Sequence, residues 1–188
     1  MMNRREALSR VAIIMGGTVL GAEAFLSGCK TNTKGVTFSK DDVAFLNEVA
    51  ETIIPATGTP GAKEAKVGEF MTVMVNDCYE EKDQAIFMEG MKKLDEASKK
   101  LNSKTFMESS PEQRNTLLVA LDKEAKEHQK AAKPEDTKHY FTMMKQLTLS
   151  GYFTSEVGAT KALRYVAVPG KFVGSYPYKK GDKAWATS

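Results

Sequence analysis

The chain has 188 residues, 41% hydrophobic and 27% charged, with 27 Lys and Arg against 24 Asp and Glu for a formal net charge of +3. That composition is ordinary for a globular protein. Its basic residues are interspersed with acidic ones, which argues against a nucleic-acid partner, and its length fits one domain without room for a separate cofactor domain.

The chain begins with an address. Asn3-Arg4-Arg5 forms a charged head, an apolar run extends from Val11 to Leu26, and Leu26-Ser27-Gly28-Cys29 follows. A charged head, a short apolar stretch and small residues before a cleavage point define a secretory signal, which is set aside from fold reasoning. The adjacent Arg4 and Arg5 point to twin-arginine export, a route that carries folded proteins. Leu-Ser-Gly-Cys has the form of a bacterial lipobox, in which the Cys29 thiol is acylated and becomes the first mature residue. An uncleaved anchor is the weaker reading, because the run is shorter than the roughly 20 residues a bilayer core requires and Glu23 interrupts it. More than one acyl chain makes such an attachment stable, each buried CH₂ adding about 0.8 kcal/mol. Residues 1–28 are therefore expected to be removed, 29–38 to form a lipidated tether, and 39–188 to form the domain. Lys30 leaves open whether the inner or the outer membrane holds the lipid.

The domain reads as successive helices. Ser39-Lys-Asp-Asp42 is a capping box, after which Val43, Leu46, Ala50 and Ile53 share a face until Pro55 stops the helix. Ala56-Thr-Gly-Thr-Pro-Gly61 is a turn-rich connection. A second helix is expected from about Lys63 to Cys78, with Val67, Phe70, Met71, Met74 and Val75 inward. Once Cys29 carries lipid, Cys78 has no disulfide partner in the chain, and its helical spacing from Met71 and Met74 predicts a buried thiol. A third helix spans Glu81 to Leu101, with Phe87, Met91, Leu94 and Leu101 as core candidates and Phe106 buried beneath the next helix start. Ser110-Pro111-Glu112-Gln113 combines three helix-start preferences and opens a helix carrying Leu117, Leu118, Leu121 and Ala125. A fifth helix begins near Lys138 and buries Phe141, Met144 and Leu147. No period-two pattern is sustained, although Val166, Val168 and Phe172 are candidates for a short extended segment. The expected fold is all-α, a compact bundle of about five to six helices with an irregular aromatic C-terminal tail from about residue 168. That tail is too aromatic for a disordered end, so its side chains are expected to dock either on the chain's own helices or on a partner.

Motifs for chemistry are sparse. The sequence has no GxGxxG opening a helix after a strand, no CxxCH, no paired Cys and no HExxH. His128 and His139 are separated by Pro134, which breaks the alignment they would have on one helix, so surface or packing roles are expected. Glu156 sits among small and aromatic residues as a candidate structural or interface carboxylate, or less favourably as a general base. The candidate partner-binding residues are Tyr152, Glu156, Arg164, Tyr165, Tyr176 and Trp185. No catalytic, cofactor-binding or metal-ligating residue is expected.

Several motifs carry a family resemblance: the Asn3-Arg4-Arg5 head, Glu51-Thr-Ile-Ile-Pro-Ala-Thr57 with Thr59-Pro-Gly-Ala62, Pro111-Glu-Gln-Arg114, and Gly151-Tyr-Phe-Thr-Ser-Glu-Val-Gly158 running into Ala162-Leu-Arg-Tyr165. In these the chain resembles the small subunit (subunit 3) family of gluconate 2-dehydrogenase, and in particular lipoprotein members of Bacteroidetes type. The resemblance implies an accessory subunit paired with a large FAD-dependent dehydrogenase of the glucose–methanol–choline type, with a c-type cytochrome as a common electron exit. It also implies that the flavoprotein, lacking its own signal, is exported with the small subunit. The lipobox departs from many family members and implies attachment of the complex to a membrane, facing the periplasm. From a different class, a free-standing helical envelope lipoprotein that binds a ligand or another envelope protein is the alternative.

Overall fold

Helix ends organise this chain, and most of them are closed by residues close in sequence. The computed structural model describes residues 36–133, 136–168 and 170–186. Arg4, Arg5, Cys29 and the rest of the signal and early tether lie outside the described residues. Helix α1 spans Lys40–Ile53 and starts on the expected capping box, with Ser39 Oγ accepting from the Asp42 N–H and Asp42 accepting from the Ser39 N–H. Pro55 follows its end. Helix α3 spans Glu81–Asn102 and ends with Ser103 in the left-handed region at φ 56°. Helix α4, Pro111–Ala131, begins on the Ser110/Gln113 capping box with proline at its first position.

Helix α2, Val67–Cys78, begins four residues later than its periodicity predicts. The reason is a missing local cap. Lys66 stands at the cap position in the left-handed region, φ 52°, and offers no side-chain acceptor. Asn47 of α1 supplies one instead, its Oδ1 accepting from the Gly68 N–H at 2.9 Å while its Nδ2 donates to Glu69 at 3.1 Å. Borrowing the cap brings α1 and α2 into close approach: a Cβ on Gly68 would lie 2.7 Å from Asn47 Cγ.

Helix α5, Tyr140–Thr154, is the axis of the bundle and packs against each of the other four helices of the described residues. Such a helix must be apolar around most of its circumference. Accordingly Met143 and Thr148 join Phe141, Met144 and Leu147 in the core, and the Thr148 hydroxyl donates to the Met144 carbonyl at 2.8 Å. Phe106 is fully buried beneath the start of α4, as expected. Two apolar assignments need correction. Leu101 is 56% exposed: it follows Leu94 by two turns on the same side of α3, but it stands in the last turn, one residue before the helix ends at Asn102. Cys78 is exposed at the C-terminal end of α2, its thiol 4.0 Å from the Met74 sulfur, and the buried place on that turn goes to Val75.

After α5 the chain makes a π-helical turn at Gly158–Ala162. Gly158 is required there, because a Cβ would overlap the Tyr152 carbonyl oxygen. Ser155 stitches the junction, donating through Oγ to the Tyr152 carbonyl at 2.7 Å and accepting from the Gly158 N–H at 2.9 Å. No strand forms among the described residues. The extended segment considered around Val166–Phe172 is replaced by a single bridge between Arg164 and Trp185. The fold is all-α, as its periodicities predict.

Candidate functional site

Three motif segments converge on the fold rather than on a reaction centre. Glu51, on the last turn of α1, folds the turn-rich connection over itself by accepting from the Ala56 N–H at 2.9 Å and the Lys63 N–H at 2.8 Å. Gly61 passes directly beneath that carboxylate, where a Cβ would collide with it. The Tyr152 hydroxyl closes the far side, donating to the Pro60 carbonyl at 2.6 Å. Tyr152 is 2% exposed. Expected at a partner surface, it instead fills its own chain's core, with its one polar atom paired to the loop. Gly151, one residue earlier, lets Phe70 of α2 lie against the helix, since a Cβ would sit 2.6 Å from the Phe70 ring.

Arg114 is the second junction. Its Nε donates to the Phe106 carbonyl at 2.9 Å, one terminal nitrogen to the Met107 carbonyl at 2.7 Å, and the other to Glu48 at 2.5 Å. The guanidinium also lies over the Phe106 ring, 5.3 Å from its centroid. Glu48 pairs with Lys63 as well, so one α1 carboxylate ties α4 to the connection before α2. Sequence reasoning singled out Arg114 as part of a motif and missed Glu48, which stands 66 positions away with no local signal.

The histidines meet in spite of Pro134, because α4 and α5 pack side by side and bring the rings to 5.6 Å. His139 caps α5: its Nδ1 accepts from the Phe141 N–H at 3.2 Å, its ring stacks on Tyr140, and Nε2 lies 3.6 Å from Glu124. Burial lowers the His139 pKa below its ordinary 6.5, against the opposing pull of Glu124. Burial also pushes the Tyr140 phenol up to about 12. No group of three or more metal-ligating side chains is assembled among the described residues. An open groove of about 510 Å³ lies between α1, α3 and the Thr105 turn, but Asp42 is spent on the α1 cap and Asp95 on the Phe106 N–H and Lys99.

The remaining candidates gather at the C-terminal end. Arg164 is held at both backbone groups, its N–H donating to the Ala184 carbonyl at 2.8 Å and its carbonyl accepting from the Ala186 N–H at 2.9 Å. Its guanidinium lies 4.7 Å from the Trp185 ring and 5.4 Å from the Tyr176 ring, and 3.6 Å from Asp182. Tyr176 and Trp185 meet edge to face at 5.3 Å. This clasp borders a hollow of about 430 Å³ whose wall includes Tyr178 and Lys183. Glu156 stays apart from it. Its carboxylate is exposed and has no hydrogen-bond partner among the described residues, its backbone carbonyl accepting from Thr160. Tyr165 is half-exposed just beyond the clasp.

The hydrogen-bonded clusters around Glu51, Arg114 and His139 serve helix ends and turns, and more than half of the exposed large apolar side chains among the described residues gather in one terminal segment. The model of one family, gluconate 2-dehydrogenase subunit 3, matches residues 40–170, and the chain belongs to that family. It is thus an accessory subunit of a dehydrogenase complex, associated with the other subunits of that complex. The match spans all five α-helices of the described residues and the π-helical turn. Comparison with curated proteins and with solved structures gave no match.

Proposed function

We propose that this chain is the non-catalytic small subunit of a membrane-associated, FAD-dependent sugar or sugar-acid dehydrogenase of the glucose–methanol–choline type. It acts as export escort, stabiliser and lipid anchor of the flavoprotein subunit, facing the periplasm. The observation that carries this reading is the family match across residues 40–170 joined to the Arg4-Arg5 head and the Leu-Ser-Gly-Cys29 segment of the same chain. FAD belongs to the partner, and a c-type cytochrome is a further partner in this reading. Only an exporter of folded proteins moves a flavoprotein with its cofactor inserted, so a paired-arginine head on the small subunit supplies the route for both.

The test is co-expression with the flavoprotein gene. Arg4→Lys with Arg5→Lys is expected to leave both chains in the cytoplasm, with flavin absorbance absent from the periplasmic and membrane fractions. Normal export of both chains in the double variant would remove the escort role.

A further inference from the structure

We propose that residues 165–178 form a docking arm, presented by the Arg164 clasp, that seats in an acidic-rimmed apolar groove on the partner subunit of the dehydrogenase complex. The inference rests on the function proposed above and names the surface that would carry the association.

Exposure is concentrated there. Of fourteen exposed large apolar side chains among the described residues, eight lie between Tyr165 and Trp185, with Phe172 at 95%, Val168 at 82% and Tyr178 at 76%. Apolar exposure gathered in one segment points to an interaction site, whereas exposed residues scattered singly do not. The segment is also anchored at both ends. It leaves from Arg164 and returns through the Lys179–Asp182 turn to Ala184–Ala186, where backbone bonds and the Arg164–Tyr176–Trp185 stack hold it. Fixing both ends lowers the ordering cost a partner must overcome.

Charge and backbone chemistry identify the occupant. From residue 161 onward there are six basic side chains, Lys161, Arg164, Lys171, Lys179, Lys180 and Lys183, against the single Asp182. The complementary surface is therefore acidic at its rim. A basic, aromatic segment would also suit an anionic membrane, but the backbone argues otherwise. No N–H or C=O of the described residues between Tyr165 and Tyr178 has a backbone hydrogen-bond partner among the described residues. The hydrocarbon of a bilayer, where the exposed aromatic side chains would insert, cannot satisfy such groups, whereas a protein groove can, giving affinity through the main chain and specificity through alternate side chains.

The experiment uses the tagged full-length chain co-expressed with its flavoprotein, comparing wild type with Phe172→Ala/Tyr178→Ala. Flavin recovered per tagged chain should fall at least tenfold in the variant, while the melting temperature of the isolated chain stays within about 2 °C, as expected for exposed side chains. Equal recovery by wild type and variant would overturn the arm and leave the proposed function standing. Absence of flavin from the wild-type sample would sink the proposed function and the arm with it. A large loss of melting temperature would assign the residues to the chain's own fold. Phosphatidylglycerol vesicles supply the last comparison: wild-type binding lost in the variant, with flavin recovery unchanged, would assign the segment to lipid and overturn the proposal.

Discussion

Arg114 shows how one side chain can hold three segments that local sequence does not connect. It satisfies two carbonyls of the turn before α4 and pairs with Glu48 on α1, the two side chains being 13% and 18% exposed. Removing the guanidinium takes its donors from the Phe106 and Met107 carbonyls and leaves Glu48 with Lys63 alone, so the loss exceeds that of a surface pair. Arg114→Ala is expected to cost about 2–3 kcal/mol and to lower the melting temperature by roughly 4–12 °C for a domain of this size. Arg114→Lys should recover only part of this, because an ammonium cannot reproduce the planar fork that reaches Phe106, Met107 and Glu48 together. Calorimetry of the three proteins decides it, and full recovery by lysine would show that charge alone matters. Arg164 allows a separate reading, because Trp185 is the chain's one tryptophan. Arg164→Ala should shift Trp185 emission to the red as the stack opens, with the melting temperature of the bundle little changed. An unmoved emission would mean that the clasp holds without its cation.

At the level of elements, the sequence was legible where a helix carries its own punctuation. Ser39, Ser110 and Pro111 start helices as their chemistry dictates, and Phe106 lies under α4 as its position before that cap implies. It was illegible where a helix borrows its cap, as α2 does from Asn47, and where an inward position falls in the last turn of its helix and is left exposed, as Leu101 is. The aromatic tail was visible as a composition change, but its clasp joins Arg164 to Trp185 across a segment with no periodic signal. Helix α5 carries a cap that titrates. His139 must keep Nδ1 unprotonated to accept from the Phe141 N–H, and burial places its folded-state pKa below the ordinary 6.5. The unfolded chain then binds the proton more readily, so this stability is complete above about pH 6.5. It declines as pH falls through the window down to the lowered folded value and is level below that. Further into acid, carboxylates such as Asp122, held low by bonds to Lys126 and Lys145, add their own loss. His139→Asn keeps a capping acceptor without a titrating ring. Its melting temperature should therefore be flatter than wild type between pH 7 and the onset of carboxylate titration. Parallel profiles for the two proteins would show that His139 is not the group responsible.

For the whole molecule, the signs of charge are unevenly placed. Residues from 161 onward carry six basic side chains against one acidic, whereas residues 40–160 carry 16 basic against 21 acidic, so the bundle before that point is acidic. Attachment to a membrane through the body of the bundle is therefore electrostatically disfavoured beside anionic lipid. No helix of the described residues is long and apolar enough to cross a bilayer. In the proposed function the lipid on Cys29 supplies the hold, more than one acyl chain making it stable because each buried CH₂ adds about 0.8 kcal/mol. The test replaces residues 1–28 by a signal cut without lipidation and adds Cys29→Ala, so that an uncleaved signal cannot mimic an anchor. The wild-type chain should enter the detergent phase on Triton X-114 separation and the membrane fraction on lysis, whereas the variant should be found in the aqueous phase and the soluble periplasm. If the flavoprotein is held only through this subunit, its flavin should move to the soluble fraction in the same cells, with the complex itself intact by gel filtration. Retention of the variant at the membrane when the flavoprotein is absent would defeat the anchoring role. Retention only when the flavoprotein is present would place a second anchor on another subunit of the complex.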